Sequence, residues 1–304
     1  MLRDDMNRYI ELRRSAGFKL SNEAVMLRCF VALAEVHGDL YIRADRALGW
    51  AVEAASSVQR DRRLCAIRHF AQALQAEDDR HQVPPRGALG NARHRRPPPY
   101  IFSPSEITTL IEAAGGLKPV GSIRPKMFAM LFGLLAATGL RISEALALRK
   151  RNITVDGLMI LQTKFQKSRL VPLHDTTRAA LQLYLADRAQ IAAATDALFV
   201  GINGKVPGYS GLKGVFDRLI TAMGLQQVRN GSRPHIHDLR HTFAVRSLEQ
   251  CRGDRTAVSR HMTALSTYLG HTNVTHTYWY LEATPVLLGQ IAEAAELFYT
   301  GGDQ

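Results

Sequence analysis

The amino-acid sequence predicts a mainly α protein with a small antiparallel β-sheet, organised as an N-terminal helical bundle followed by an α+β domain. Apolar residues recur every three or four positions along most of the chain, as in helices that bury one face. Residues 153–173 instead carry short β-branched and apolar runs separated by turn signals. A proline-rich stretch divides the chain between the two predicted domains.

The first predicted domain spans residues 1–81 and is helical throughout. The segments "EAVMLRCFVALAEV" and "DRRLCAIRHFAQAL" show the apolar spacing of helices, and Ser21 and Asp39 are candidate N-caps. No group of residues suited to catalysis occurs in this part of the sequence. We therefore expect the domain to serve in binding or packing.

Residues 82–100 are predicted to form a linker. They include five prolines, two glycines and a basic run at positions 93–96. Prolines block helix continuation, and the run at 97–99 favours an extended polyproline conformation. Two interpretations stay open for this stretch: a solvated tether, or a basic strip that follows a phosphate backbone.

The second predicted domain spans residues 101–304. Its first helix is marked by Ser103 as N-cap, Pro104 at the first helical position and Glu106 three residues after the cap, which together form a capping box. A long apolar helical segment follows, interrupted at Thr138-Gly139. The Asp156-Gly157 turn then begins the predicted hairpins, and helices resume to the end of the sequence.

Charge and cysteine content narrow the functional classes. The 304 residues include 39 Lys and Arg against 27 Asp and Glu, which gives a net charge of +12 and favours a polyanionic partner. No apolar run is long enough to span a membrane, and three scattered cysteines argue against a disulfide framework. We therefore expect a cytoplasmic protein without a membrane partner.

Several side chains are candidates for chemistry. Arg141, near a predicted helix start, suits phosphate binding but could equally pair with Glu144. His237 and Arg240 share a helix face. Zinc binding by His235, His237 and His241 is a competing idea, which the nearby arginine and the missing carboxylate disfavour. Lys164 and Lys167 in the predicted hairpin are either solvated or placed to reach DNA.

The order of five motifs resembles the tyrosine recombinases, the phage integrase family. These motifs are "ATGLRISEALAL", "TKFQKSRLVPL", "HDLRHTFA", "LGHTNV" and "YWYL", and the resemblance covers residues from about 100 to 285. Residues 1–81 match the core-binding, SAM-like domain of that family by position and length. The resemblance implies an enzyme that cuts and rejoins double-stranded DNA at specific sites through a 3′-phosphotyrosyl intermediate, without ATP, metal or cofactor.

The resemblance also implies the site residues. It assigns phosphate binding to Arg141 and Arg240. Lys164 in the hairpin would be the general acid, and His237 would accept a proton. His271 would donate a hydrogen bond to the phosphate, and Tyr280 would be the nucleophile. Phe165-Gln166 replace the glycine that often follows the family's lysine, so Lys167 is the second candidate. Tyr278 and Tyr280 point about 200° apart in a helix, so only one can face the cleft.

Alternative functions remain open at this stage. A type IB topoisomerase-like enzyme would share the chemistry and relax supercoils as a monomer, whereas a catalytically silent relative would bind DNA only. The amphipathic tail "PVLLGQIAEAAELF" fits either a helix on its own core or a dock on a neighbouring protomer, as in a homotetramer on two DNA duplexes. The motifs do not identify the DNA site, the biological task or any accessory proteins.

Overall fold

The structure is a computed structural model whose described part falls into two compact units, Met1–Arg96 and Pro97–Gln304. The described residues are 2–90, 98–161, 168–191, 195–226, 233–251 and 255–270. The basic run at 93–96, the hairpin tip and the chain from residue 271 onward lie outside them.

Within residues 2–90 the first unit is a bundle of four helices. They are α1 Leu2–Ser15, α2 Ser21–Val36, α3 Ala44–Val52 and α4 Ser57–Gln75. The core is aromatic at its centre, where Phe30 packs on Trp50 at 5.8 Å and Tyr9 on Phe70 at 5.3 Å between ring centroids. Val83 and Leu89, from the predicted linker, pack against this core.

Both N-caps predicted for this bundle are wrong. Ser21 is already the first residue of α2, and Leu20 caps the helix in a left-handed conformation with φ 44°. Helix α3 begins at Ala44, well after Asp39. The Asp39 carboxylate instead accepts a 2.8 Å bond from Arg46 Nε, so an ion pair with α3 uses the group that the local pattern assigned to a cap.

The second unit is mainly helical with one small sheet. Its described helices are α5 Pro104–Gly115, α6 Ile123–Thr138, α7 Ile142–Ala147, α8 Asp175–Ala189, α9 Tyr209–Ala222, α10 Ile236–Glu249 and α11 Arg255–Leu269. The predicted capping box of α5 is confirmed. Ser103 Oγ accepts from the Glu106 amide at 3.1 Å, and Glu106 Oε2 accepts from the Ser103 amide at 2.8 Å.

The predicted antiparallel sheet is also confirmed. Its strands are β1 Ile153–Thr154, β2 Gly157–Ile160 and β3 Arg169–Val171, in the order β1-β2-β3. Leu158 faces Val171 across β2 and β3, and both side chains are fully buried. Gly157 begins β2 with φ 144°, a conformation that disfavours any other residue.

Helix α6 lies at the centre of the second core, which explains its long apolar sequence. It packs against α5, α8 and α10 and buries residues on every side, among them Met127, Leu131 and Leu135. The helix ends at Gly139, whose left-handed φ of 61° reverses the chain. This reversal places Arg141 at the start of α7, so the end of the core helix positions a candidate site residue.

Helices of the length and apolar character needed to cross a membrane are not found in the part of the chain that the structure describes.

Replacing Gly157 with Ala should destabilise the second unit. A Cβ at this position would lie 2.2 Å from the Val171 carbonyl oxygen, and φ is positive, so backbone must move. We expect a loss of more than about 1 kcal/mol in the free energy of unfolding, measured by urea titration. The control is Gly214→Ala in α9, where a Cβ meets nothing within 4 Å. That helical substitution should be neutral or stabilising, and equal losses in both variants would contradict the steric argument.

Candidate active site

Three of the six predicted site residues lie in the described part of the chain. Arg141 precedes α7, and His237 and Arg240 lie in α10. Lys164 and its alternative Lys167 lie outside the described residues, as do His271, Tyr278 and Tyr280.

Arg141 is held on two sides while part of its side chain stays open to solvent. Its Nη1 donates to Glu144 Oε1 at 2.9 Å, and its backbone amide donates to Glu144 Oε2 at 3.0 Å. Its Nη2 donates to the Gly270 carbonyl at 3.1 Å. The pairing with Glu144 that the sequence left open is therefore present, yet 30% of the arginine side chain remains exposed for a ligand.

Arg240 is buried to 2% exposure and is fixed by backbone carbonyls. Its Nη1 donates to the Gly139 carbonyl at 2.7 Å, and its Nη2 donates to the Leu269 carbonyl at 2.6 Å. These carbonyls belong to the C-terminal ends of α6 and α11. Such ends present unpaired oxygens and partial negative charge, so they stabilise a guanidinium there.

The two arginines meet at the same short backbone segment. Arg240 binds the carbonyl of Leu269, and Arg141 binds the carbonyl of the next residue, Gly270. Two arginines that are 99 positions apart in the sequence thus converge at the end of α11. His271 follows Gly270 directly in the sequence and lies outside the described residues.

A third guanidinium, which the sequence did not reveal, completes the cluster. Arg169 at the start of β3 donates from Nη1 to Glu144 Oε1 at 3.0 Å and from Nη2 to Glu144 Oε2 at 2.8 Å. A Cβ added to Gly270 would lie only 3.0 Å from Arg169 Nη1, so this glycine gives Arg169 its room. No sequence signal distinguishes this arginine from a solvated one, because its partner lies 25 residues upstream.

The electrostatics of the cluster favour an anion. Burial raises the pKa of Glu144, but the hydrogen bonds and charges of Arg169 and Arg141 outweigh it and lower that pKa to about 2. The Glu144 carboxylate pairs with the guanidiniums of Arg141 and Arg169, and Arg240 binds the neighbouring Leu269 carbonyl, so these four side chains together carry a formal charge of +2 (three minus one). An incoming phosphodiester would meet oriented donors with surplus positive charge.

Tyr268 lies beside this cluster but is poorly suited to act as a nucleophile. Burial raises its pKa to about 12, although Arg169 and Arg240 oppose that shift. Its hydroxyl donates to the Thr138 carbonyl at 3.1 Å, and its ring stacks on Phe243 at 5.4 Å. The phenol therefore stays protonated and supports the end of α6.

The histidines of α10 do not form a common metal site in the structure. The rings of His237 and His241 meet edge to face at 4.5 Å, whereas His235 Nδ1 lies 2.5 Å from the Arg233 carbonyl oxygen. Among the described residues no three His, Cys, Asp or Glu side chains are placed to hold a metal ion. His237 is exposed, one helical turn before the buried Arg240.

Comparison with known proteins identifies relatives over almost the whole chain. Residues 101–285 match the model of the phage integrase family. A putative integrase/recombinase, y4rB, of Sinorhizobium fredii is 36% identical over 97% of this chain and 96% of its own length. The tyrosine recombinase XerC of a Methylobacterium species is 30% identical over 77% of this chain and 70% of its own length.

The fold is similar to that of solved structures as well. A lambda integrase dimer bound to a COC′ core site aligns with a TM-score of 0.66 at 17% identity, over 92% of this chain and 77% of that one. At this level of identity the likeness concerns the fold.

Replacing Glu144 with Gln should destabilise the protein in a pH-dependent way. Because its pKa is lowered from 4.5 to about 2, the carboxylate contributes stability that is present above pH 4.5 and lost as pH falls toward 2. The variant should therefore be less stable by roughly 3 kcal/mol at pH 7. Urea unfolding at several pH values should show the difference shrinking below pH 4.5. The exposed Glu112→Gln serves as control, and a difference that does not change with pH would contradict the ion-pair account.

Proposed function

The chain belongs to the phage integrase family, and from this membership we propose how its residues share the cutting and rejoining of DNA. It is a tyrosine-type site-specific recombinase, an enzyme that breaks and rejoins DNA strands. The observation that carries the proposal is the convergence of Arg141 and Arg240 on the adjacent carbonyls of Leu269 and Gly270.

In the proposed mechanism the two arginines bind the scissile phosphate. A phosphodiester resists attack because its anionic oxygens repel nucleophiles, and negative charge grows further in the pentacovalent transition state. Guanidiniums held in place before the reaction stabilise that charge without reorganising. Arg240 suits this role because it is buried and doubly bonded, and Arg141 because its exposed edge is oriented by Glu144.

The remaining roles follow the order of the family motifs. Tyr280 attacks the phosphorus, and the bond to the 5′ oxygen breaks as the 3′-phosphotyrosyl bond forms. His237 accepts the phenol proton, Lys164 protonates the leaving 5′ oxygen, and His271 adds a hydrogen bond to the phosphate. Because the phosphotyrosyl bond conserves the energy of the phosphodiester, the 5′ hydroxyl can reverse the step without ATP. No step in this scheme requires a metal ion.

Double-stranded DNA is the partner that this mechanism requires, and a surplus of basic residues favours it. We propose that residues 1–81 and 101–304 bind the duplex as a clamp joined by the basic linker 82–100. We further propose that four protomers act on two duplexes in the cytoplasm. A monomeric relaxing enzyme or a silent binding protein is not favoured, since the relatives reported above are named integrases and recombinases.

Replacing Tyr280 with Phe should abolish covalent capture of DNA while leaving affinity intact. The change removes one oxygen, keeps the ring and leaves the phosphate contacts untouched. The assay uses a DNA substrate nicked near the cleavage point, with chelator present, resolved on a denaturing gel. Tyr278→Phe is the matched control and should retain the adduct. An adduct with Tyr280→Phe protein would overturn the assignment, and loss in Tyr278→Phe alone would move the nucleophile two residues upstream.

Removing residues 285–304 should leave the binding of one protomer to DNA intact and weaken the assembly of several protomers on DNA. If the apolar tail docks on a neighbouring protomer, the truncated protein should bind a single half-site normally and form multimeric complexes on DNA poorly. Native gels and light scattering measure the two properties. Recombination by the truncated protein at the rate of the full chain would exclude an intermolecular dock.

A further inference from the structure

Helix α10 carries a second polar stripe that the proposed chemistry does not use. Asp238, Thr242 and Arg246 follow one another at intervals of four residues, so they lie along one face of the helix. At about 100° per residue, this stripe lies on roughly the opposite side from His237, Arg240 and His241. Asp238 and Thr242 are buried, which is unusual for polar side chains unless each has a specific partner.

The partner of this stripe is the backbone with which the chain enters the second unit. The backbone amide of Tyr100 faces the Asp238 carboxylate and lowers its pKa. The amide of Phe102 donates to Thr242 Oγ1 at 3.0 Å, and the Phe102 carbonyl accepts from Arg246 Nη2 at 2.7 Å. The incoming chain is thus bonded to α10 through Thr242 and Arg246, and the Tyr100 amide lies near Asp238, at the point where the predicted linker ends.

The incoming chain is also anchored on its other side. Tyr100 donates its hydroxyl to Glu106 Oε1 at 2.8 Å, and its buried ring packs edge-on against Phe102 at 4.8 Å. The Phe102 ring is fully buried and contacts Phe216 of α9 at 6.5 Å between centroids. Because this segment is held from both sides, a shift in its position would also move the residues of α10 to which it is bonded.

Helix capping alone does not explain why the Asp238 carboxylate is buried. Its Oδ2 accepts from the His235 amide at 2.7 Å, as a capping residue would, but exposed carboxylates cap helices equally well. Burial raises the pKa of Asp238 to about 6, against the lowering effect of the His235 and Tyr100 amides and the His235 charge. The burial of a carboxylate at this energetic cost is better explained by its second contact, with the amide of Tyr100, 138 positions away in the sequence.

We propose that Asp238 is a positioning residue for strand cleavage: it ties the chain entering at Tyr100 to the first turn of α10 and thereby sets the placement of His237 and Arg240. This inference rests on the proposed function, which gives those two residues their roles at the phosphate. The tie couples the end of the linker to the catalytic helix. A linker displaced when DNA is clamped would act on α10 through Asp238, Thr242 and Arg246.

The test is single-turnover cleavage by the full-length Asp238→Asn variant on the nicked DNA substrate. Asn replaces one acceptor oxygen with an NH₂ donor and removes the charge at nearly constant volume. We expect the rate constant of adduct formation at saturating DNA to fall roughly 10-fold to 100-fold, since small misplacements of catalytic groups have effects of that size. The dissociation constant for DNA should be unchanged. If Asp238 had only a structural role, the substitution would lower the amplitude of adduct formation, which reports the active fraction of the protein. The rate constant would then be unchanged.

Controls and a second variant keep the test decisive. Ser122→Ala removes an N-cap at the far end of α6 and should leave the rate constant unchanged despite some loss of stability. If Asp238→Asn folds poorly, Thr242→Val removes the acceptor of the Phe102 amide at constant shape and should slow the rate constant in the same direction. Amide hydrogen exchange at Tyr100 and Phe102 reports directly whether each tie is broken.

The outcomes separate this inference from the proposed function. Broken ties with an unchanged rate constant would overturn the positioning role, while loss of cleavage in Arg240→Ala would still support the proposed chemistry. A rate constant that is normal in Arg240→Ala would instead refute the proposed function. Slower cleavage in Asp238→Asn and Thr242→Val, with normal cleavage in Ser122→Ala, would support both.

Discussion

The arrangement of the site depends on one buried carboxylate. Glu144 accepts two bonds from Arg141 and two from Arg169, so each of its oxygens bridges the two residues. Without it, guanidiniums brought together from three elements would repel one another in a partly dry environment. With it, the cluster keeps a surplus of positive charge, directed outward through the exposed edge of Arg141. The site is therefore organised before any phosphate arrives.

The C-terminal end of α11 supplies the second half of this organisation. The carbonyls of Leu269 and Gly270 there, together with that of Gly139 at the end of α6, accept bonds from Arg141 and Arg240. Helix ends offer such oxygens without additional side chains. Gly270 adopts a left-handed conformation and gives the arginines room, since a Cβ there would lie 3.0 Å from Arg169 Nη1 and 3.7 Å from Arg141 Nη1. Because the bonded residues are far apart in sequence, the candidate site forms only when α6, α10 and α11 have packed.

The sequence predicted those features whose causes are local. The Ser103–Glu106 capping box and the Arg141–Glu144 pair involve neighbours within a few residues, and the turn predicted at Asp156-Gly157 lies one residue earlier, at Val155-Asp156. The predicted cap at Ser21 was wrong because Leu20 caps that helix in a left-handed conformation, and the one at Asp39 was wrong because its carboxylate pairs with Arg46. Arg169 and the tie from Asp238 to Tyr100 could not be anticipated, since their partners are distant in sequence and common residue types carry no mark of their contacts. The order of the motifs predicted the family, whereas the contacts that orient Arg141 and Arg240 are visible only in the fold.

If this cluster neutralises one phosphate, the effect of removing one of its arginines should depend on the charge of the substrate. The measurement compares wild-type and Arg141→Ala protein on two substrates, one with an ordinary scissile phosphodiester and one with a neutral methylphosphonate there. On the phosphodiester the variant should form adduct about 10² to 10³ times more slowly, as when an oriented donor to a developing oxyanion is lost. On the methylphosphonate, which carries no anionic charge for Arg141 to offset, most of that deficit should disappear. An equally large deficit on both substrates would contradict the account.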